Sequence, residues 1–278
     1  MRMSQLLSGL AGLAFVALGT VASAHADTVS GNFYATDSTW WGTPPAAYQT
    51  LAPADSAGAV AATGWQNILV PEATNSSLTL TDNHGNSAAT LYIPNGIIGA
   101  RNGSGFVTAT PVASNWNSGL PTSETTQNKL YAAGSGFPNT YANEMQFSNI
   151  PYANYSIYVY LGIQSGYSAS AQIFAGASNT ASQTYYAQNG GWDYGNPSPN
   201  SYVQATSTDS ANPTDGGNYV LFSGLTGSSQ TIDVNYANAQ DGVIVSGFQI
   251  VQAVPEPASM VLLGAGALLL IPRRRNRA

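Results

Sequence analysis

The chain of 278 residues holds seven Lys plus Arg, thirteen Asp plus Glu, no cysteine, and a charged fraction of 7%, against about 25% in an average soluble protein. Five of the seven cations, Arg2, Arg273, Arg274, Arg275 and Arg277, lie at the two extreme ends, so residues 27–254 keep only Arg101 and Lys129 against twelve carboxylates. That balance excludes a nucleic-acid module, which needs several cations to neutralise phosphates, and excludes an anionic membrane surface as the partner of the body.

In chain order, residues 1–26 read as a secretory signal helix. Arg2 supplies the positive start, Leu6 to Leu18 form an apolar run, and Ala24-His25-Ala26 gives a small-x-small cleavage pattern before Asp27. A cut after Ala24, following Ala22-Ser23-Ala24, obeys the same rule. An N-terminal anchor is the alternative, but the run is short and no stop-transfer charges follow it. Export without cysteine leaves no disulfides, so residues 27–252 must be held by their own core.

Those residues carry strand alternation and almost no helical period. In Tyr155-Ser156-Ile157-Tyr158-Val159-Tyr160-Leu161-Gly162-Ile163 the odd positions make one aliphatic row, while Tyr158 and Tyr160 point the other way. Further strands are expected at 76–82, 88–93, 129–132, 143–148, 168–175, 183–188, 201–207, 218–223, 230–236 and 243–251. Turn clusters such as Asp82-Asn83-His84-Gly85-Asn86 and Asn189-Gly190-Gly191 separate them. More than ten short strands with this punctuation predict a single all-β sandwich or jelly roll.

At the far end, residues 253–278 hold Pro255-Glu256-Pro257, an apolar helix over 258–271, and an arginine-rich tail with Arg273, Arg274 and Arg275. Fourteen residues of helix reach about 21 Å, short of a hydrocarbon core of roughly 30 Å. The arginines would stay cytoplasmic, leaving the body on the opposite side of the membrane. Pro-Glu-Pro, apolar helix and arginine tail in this order resemble the PEP-CTERM sorting signal of Gram-negative bacteria. The resemblance implies recognition by an exosortase-type transpeptidase, transient residence in the inner membrane, delivery to the cell surface or extracellular matrix, and an exopolysaccharide as neighbour. A permanent C-terminal anchor has the same topology.

The order of Trp65-Gln66-Asn67-Ile68-Leu69, Leu78 to Gly85, Ile150 to Tyr160 and Gly247-Phe248-Gln249-Ile250-Val251 resembles the galactose-binding-like sandwich domains that often accompany such tails. No binding residue carries over position by position.

Few residues are equipped for catalysis. His84 is the one internal histidine once the signal is removed, and it sits in a turn; there is no Gly-x-Ser-x-Gly elbow. With one histidine and no cysteine, a zinc site of His and Cys is excluded. A glycoside hydrolase needs only two carboxylates that meet in space, so that alternative stays open. Asp209, Asn212, Asp215 and Asn218 gather hard oxygen donors suited to a structural calcium, or serve as ordinary turn residues.

Sugar contact is the other expectation, because pyranose rings stack on aromatic faces beside amides. Tyr186, Asn189, Trp192, Asp193 and Tyr194 form one such cluster, and Trp40 with Trp41 a second; Trp and Tyr are also normal strand residues. The sequence thus predicts an exported, non-enzymatic surface or matrix protein that binds polysaccharide weakly. The alternatives are a polysaccharide hydrolase with paired carboxylates and a purely structural coat protein.

Overall fold

Alternating side chains need a partner layer, and the chain supplies two. The computed structural model describes residues 26–34, 51–69, 76–94, 143–163, 166–175, 180–190, 202–236 and 243–254. Ala24, Trp40, Trp41, Trp192, Asp193, Tyr194, the strand expected at 129–132, and the tail with Pro255, Glu256, Pro257, Arg273, Arg274 and Arg275 lie outside the described residues. Within them the regular structure is all strand: β1 (Thr28–Tyr34), β2 (Gln66–Leu69), β3 (Ser77–Thr81), β4 (Ser87–Tyr92), β5 (Asn143–Ser148), β6 (Tyr155–Ile163), β7 (Ser168–Ala175), β8 (Gln183–Gln188), β9 (Gln204–Ala205), β10 (Thr214–Asp215), β11 (Tyr219–Leu225), β12 (Gln230–Tyr236) and β13 (Val243–Gln252).

They form two mixed sheets, ordered β2-β1-β13-β6-β11-β9 and β10-β8-β7-β12-β5-β4-β3. Most pairs are antiparallel, and the parallel ones, β1 with β2, β9 with β11 and β8 with β10, sit at sheet edges. The inner faces share one core. Val29, Phe33, Ile157, Val159, Leu161, Phe222, Phe248 and Ile250 come from the first sheet, and Leu80, Leu91, Met145, Phe147, Ala171, Ile173, Ile232 and Val234 from the second. The ring of Phe147 meets that of Phe248 edge-on at 4.8 Å between centroids, joining the layers. The odd row of β6 lies wholly in this core, as its alternation predicts.

Two local departures have physical causes. The expected strand at 201–207 shortens to Gln204–Ala205 because the chain changes sheets there: Gln204 and Ala205 pair with Tyr219 and Val220, while the Ser207 carbonyl accepts from the Tyr186 N–H at 2.8 Å in the other layer. β1 is an additional strand whose sequence, Thr-Val-Ser-Gly-Asn-Phe-Tyr, offers few apolar residues.

The ends of the body meet. β1 and β13 run antiparallel with Thr28 opposite Val251, and the Gln252 N–H donates to the Asp27 carbonyl at 2.9 Å. The turn after β3 clamps the same place. Asn83 Oδ1 accepts from the Thr28 N–H at 2.9 Å, and His84 Nε2 lies 3.3 Å from Asp27 Oδ1. His84 is thus an exposed turn residue, 58% accessible. The compact unit spans Asp27–Ala253.

Candidate functional site

Each sheet has an outer face, and the strand registers say which side chains share it. On the six-stranded sheet, one row across the strands runs Ser30, Gln249, Tyr158, Leu221, and the next runs Asn32, Gly247, Tyr160, Tyr219, Gln204. No side chain in either row is charged. Tyr160 is fully buried, because the segment 51–65 crosses over it and packs Leu51, Ala57 and Trp65 into a second, smaller core.

That cover is fastened by polar groups. The Ala59 N–H donates to the Tyr160 hydroxyl at 2.7 Å, which itself donates to Gln249 Oε1. Gln249 Nε2 donates to the Val60 carbonyl at 2.8 Å. The Gly58 N–H donates to the Tyr202 hydroxyl at 3.2 Å. Gly58 has φ 93°, and a Cβ there would overlap the Gln249 amide and come within 2.9 Å of the Trp65 ring, so both backbone and space demand glycine.

Around buried Tyr160 stand Tyr158, Tyr202 and Tyr219, all half-buried. Tyr158 and Tyr219 are nearly parallel at 6.0 Å between centroids, and Tyr202 meets Tyr219 at 6.3 Å and 81°. Burial pushes the Tyr160 hydroxyl well above its ordinary value and that of Tyr202 up to about 12. These tyrosines therefore act near neutral pH as uncharged rings with hydroxyl edges.

The outer face of the seven-stranded sheet is polar. One row runs Thr184, Gln172, Asp233, Glu144; the next runs Phe174, Thr231, Gln146, Tyr92, Ser77. Asp233 and Glu144 are direct cross-strand partners. Gln146 Nε2 donates to Glu144 Oε1 at 2.6 Å, whereas Asp233 Oδ1 is closed to solvent and has no hydrogen-bond partner. Burial, followed by the charge of Glu144, raises the Asp233 carboxyl above its ordinary 3.8.

The sign of the consequence is fixed. A carboxyl with a raised folded value favours the folded state most fully at pH below 3.8, and that contribution fades as pH climbs through the raised value. Asp233→Asn should therefore stabilise the protein relative to wild type by about 0.5–1 kcal/mol at pH 7, the size of a directly opposed like-charge pair. The gain should vanish near pH 3. Paired thermal melts at the two pH values measure it, and a pH-independent difference would contradict the account.

The residues singled out in the sequence fall in several places. Tyr186 is half-buried on the outer face of β8, in a row with Ser170 and Asn235. Asn189 adopts φ 51° just after β8. Its Oδ1 accepts from the Gly166 N–H and its Nδ2 donates to Asp215 Oδ1, both at 2.7 Å, so its amide staples two loops together. Asp215 thereby joins the Asn189 cluster instead of Asp209.

Asp209 forms its own turn, accepting from the Ala211 N–H at 2.9 Å and from Asn212 Nδ2 at 2.7 Å. The Asn212 side chain, then the Ala211 amide, hold its carboxyl below the ordinary value. Asn218 is completely buried, with its Oδ1 accepting from the Val203 N–H at 2.8 Å. Asp209 and Asn212 thus bond each other, while Asp215 and Asn218 bond Asn189 and Val203 elsewhere. Among the described residues no three His, Cys, Asp or Glu side chains gather as a metal group.

The tyrosine patch was missed as a site in the sequence, although alternation already turned Tyr158 and Tyr160 to one side. What was absent was the register that sets Tyr219 beside them. No family model, curated protein or solved structure matches this chain.

Proposed function

We propose that the chain is an exported protein with a body of the jelly-roll, galactose-binding-like sandwich type, which binds neutral polysaccharide without altering it. The PEP-CTERM-like tail would route it by an exosortase through the inner membrane to the cell surface or matrix. An extracellular form that retained Arg273–Arg275 would contradict this route.

The observation that carries the binding reading is the patch of half-buried Tyr158, Tyr202 and Tyr219 on and beside two strand rows that hold no charged side chain. Aromatic faces accept the apolar side of a pyranose, and neighbouring amides and hydroxyls answer its hydroxyl groups. Two mixed sheets around one core, with first and last strands paired, support the sandwich type.

Electrophoresis through gels cast with galactomannan, hydroxyethylcellulose or dextran tests the reading. Wild type should be retarded in at least one. The double variant Tyr158→Ala, Tyr219→Ala should lose about tenfold or more in affinity, equivalent to about 1.4 kcal/mol. Equal retardation of the two proteins, or none of the wild type in any gel, sinks the proposal.

Asp233 opposite Glu144 favours a second reading, a retaining glycoside hydrolase, whose two carboxyls stand about 5–5.5 Å apart. Assaying the same gels for newly released reducing ends decides between binding and cleavage.

A further inference from the structure

The two outer faces lie on opposite sides of one shared core, so a ligand held on one leaves the other free. We propose that the outer face of the seven-stranded sheet is a second polysaccharide surface, reading hydroxyls by hydrogen bonds between two aromatic ends, so that one domain holds two chains. The choice of polysaccharide rests on the reading under Proposed function; the second face stands on its own geometry.

The row Tyr92, Gln146, Thr231, Phe174 crosses four successive strands, β4, β5, β12 and β7. Neighbouring strands are about 4.8 Å apart, which places Tyr92 and Phe174 about 14 Å from one another along the row. A strand spacing is close to the length of one pyranose in an extended glycan. A chain laid across the strands would therefore set a ring against Tyr92, another against Phe174, and its middle over the amide of Gln146 and the hydroxyl of Thr231.

The parallel row beside it supplies acceptors, Glu144 and Asp233, and the amide of Gln172. The sugar hydroxyl is a donor that brings no charge, and it suits a face with no Lys or Arg among its described residues. A protein partner would need a contiguous apolar centre. These two rows place amides, hydroxyls and carboxylates there instead.

Turbidity of the protein mixed with high-mass polysaccharide separates one binding face from two. The probe is whichever of the three gel polysaccharides retards wild type. Wild type should precipitate it at intermediate ratios and redissolve it in excess protein, as a two-handed binder does. The variants Gln146→Ala, Thr231→Ala and, separately, Tyr158→Ala, Tyr219→Ala should each remain retarded in gels yet lose precipitation at least tenfold, with melting curves confirming that both fold. Substituting both faces should abolish binding.

Three outcomes overturn the inference: wild type that binds but never precipitates, a Gln146→Ala, Thr231→Ala variant that precipitates like wild type, or a Tyr158→Ala, Tyr219→Ala variant with no retardation left. If instead the tyrosine variant precipitated normally while the Gln146→Ala, Thr231→Ala variant did not, this face would stand and the tyrosine patch, with the reading under Proposed function, would fall.

Discussion

Tyr160→Phe is expected to lower the unfolding free energy by about 2–5 kcal/mol, far more than removal of one surface hydroxyl. The ring would keep its packing against Trp65 and Tyr202. The hydroxyl, however, joins the Ala59 N–H to Gln249 Oε1, and Gln249 is itself fully buried. Deleting one member of such a network strands the others, at about 1–3 kcal/mol for each unpaired buried group. Urea unfolding should show a lower midpoint with little change in slope. Limited proteolysis should also cut within residues 52–64 sooner than in wild type, because beyond Leu51, which Asn67 of β2 holds by both its N–H and its carbonyl, their polar hold on the sheet passes through Tyr160, Gln249 and Tyr202. Tyr158→Phe is the control, since its ring is half-buried and no such network runs through it. Equal loss in the two variants would show that the cover is held by its apolar contacts alone.

Gly247→Ala is expected to be at least as damaging, and through the backbone. β13 shifts register between Val245 and Gly247 against β6. A Cβ on Gly247 would overlap the carbonyl oxygen of Gly31 and come within 3.4 Å of the Asn32 Cα. Neither neighbour is a side chain that can rotate away; both belong to β1, paired on the far side of β13. Relief would require β1 to move, carrying Val29 and Phe33 out of the core. Overpacking at a buried site of this kind costs about 1–3 kcal/mol, and displacement of a paired strand carries it beyond that, into the range where a marginal domain does not fold. Soluble yield and the thermal midpoint measure the effect. A midpoint within a degree or two of wild type would mean that the β1–β13 pair yields easily.

How much of this was legible beforehand depends on whether the information was local. The odd row of β6 could be read from Tyr155, Ile157, Val159, Leu161 and Ile163, because a two-residue period is written in adjacent positions. Strands β5, β7, β8 and β12 were legible on the same ground, with their observed limits. β1 was not, since Val29 and Phe33 are the only large apolar residues it turns inward and Gly31 between them gives no signal. The cover over Tyr160 was hidden for another reason. Residues 51–64 have neither period, and their burial depends on a glycine at position 58 and on an acceptor, Gln249, from the far end of the chain.

Residues called by type fared as their neighbours dictated. Asn218 looked like a loop oxygen donor beside Asp215, but its amide completes the backbone bonds of Val203 and it is sealed inside. Asn189 sat in an aromatic-amide cluster, yet its positive φ and its two bonds make it a fastener. Conversely, Glu144 and Asp233 appeared as isolated carboxylates, and only the β5–β12 register sets them face to face. The candidate faces are products of pairing between distant strands, which composition and local pattern do not record.

The bond between Gln252 and Asp27 has a mechanical meaning. Residues 27 and 252 close one antiparallel strand pair, so tension drawn through either end of the body is applied at the same pole. A pull between the two ends would therefore peel the β1–β13 pair open one bond at a time, beginning at Gln252, instead of shearing all its bonds at once.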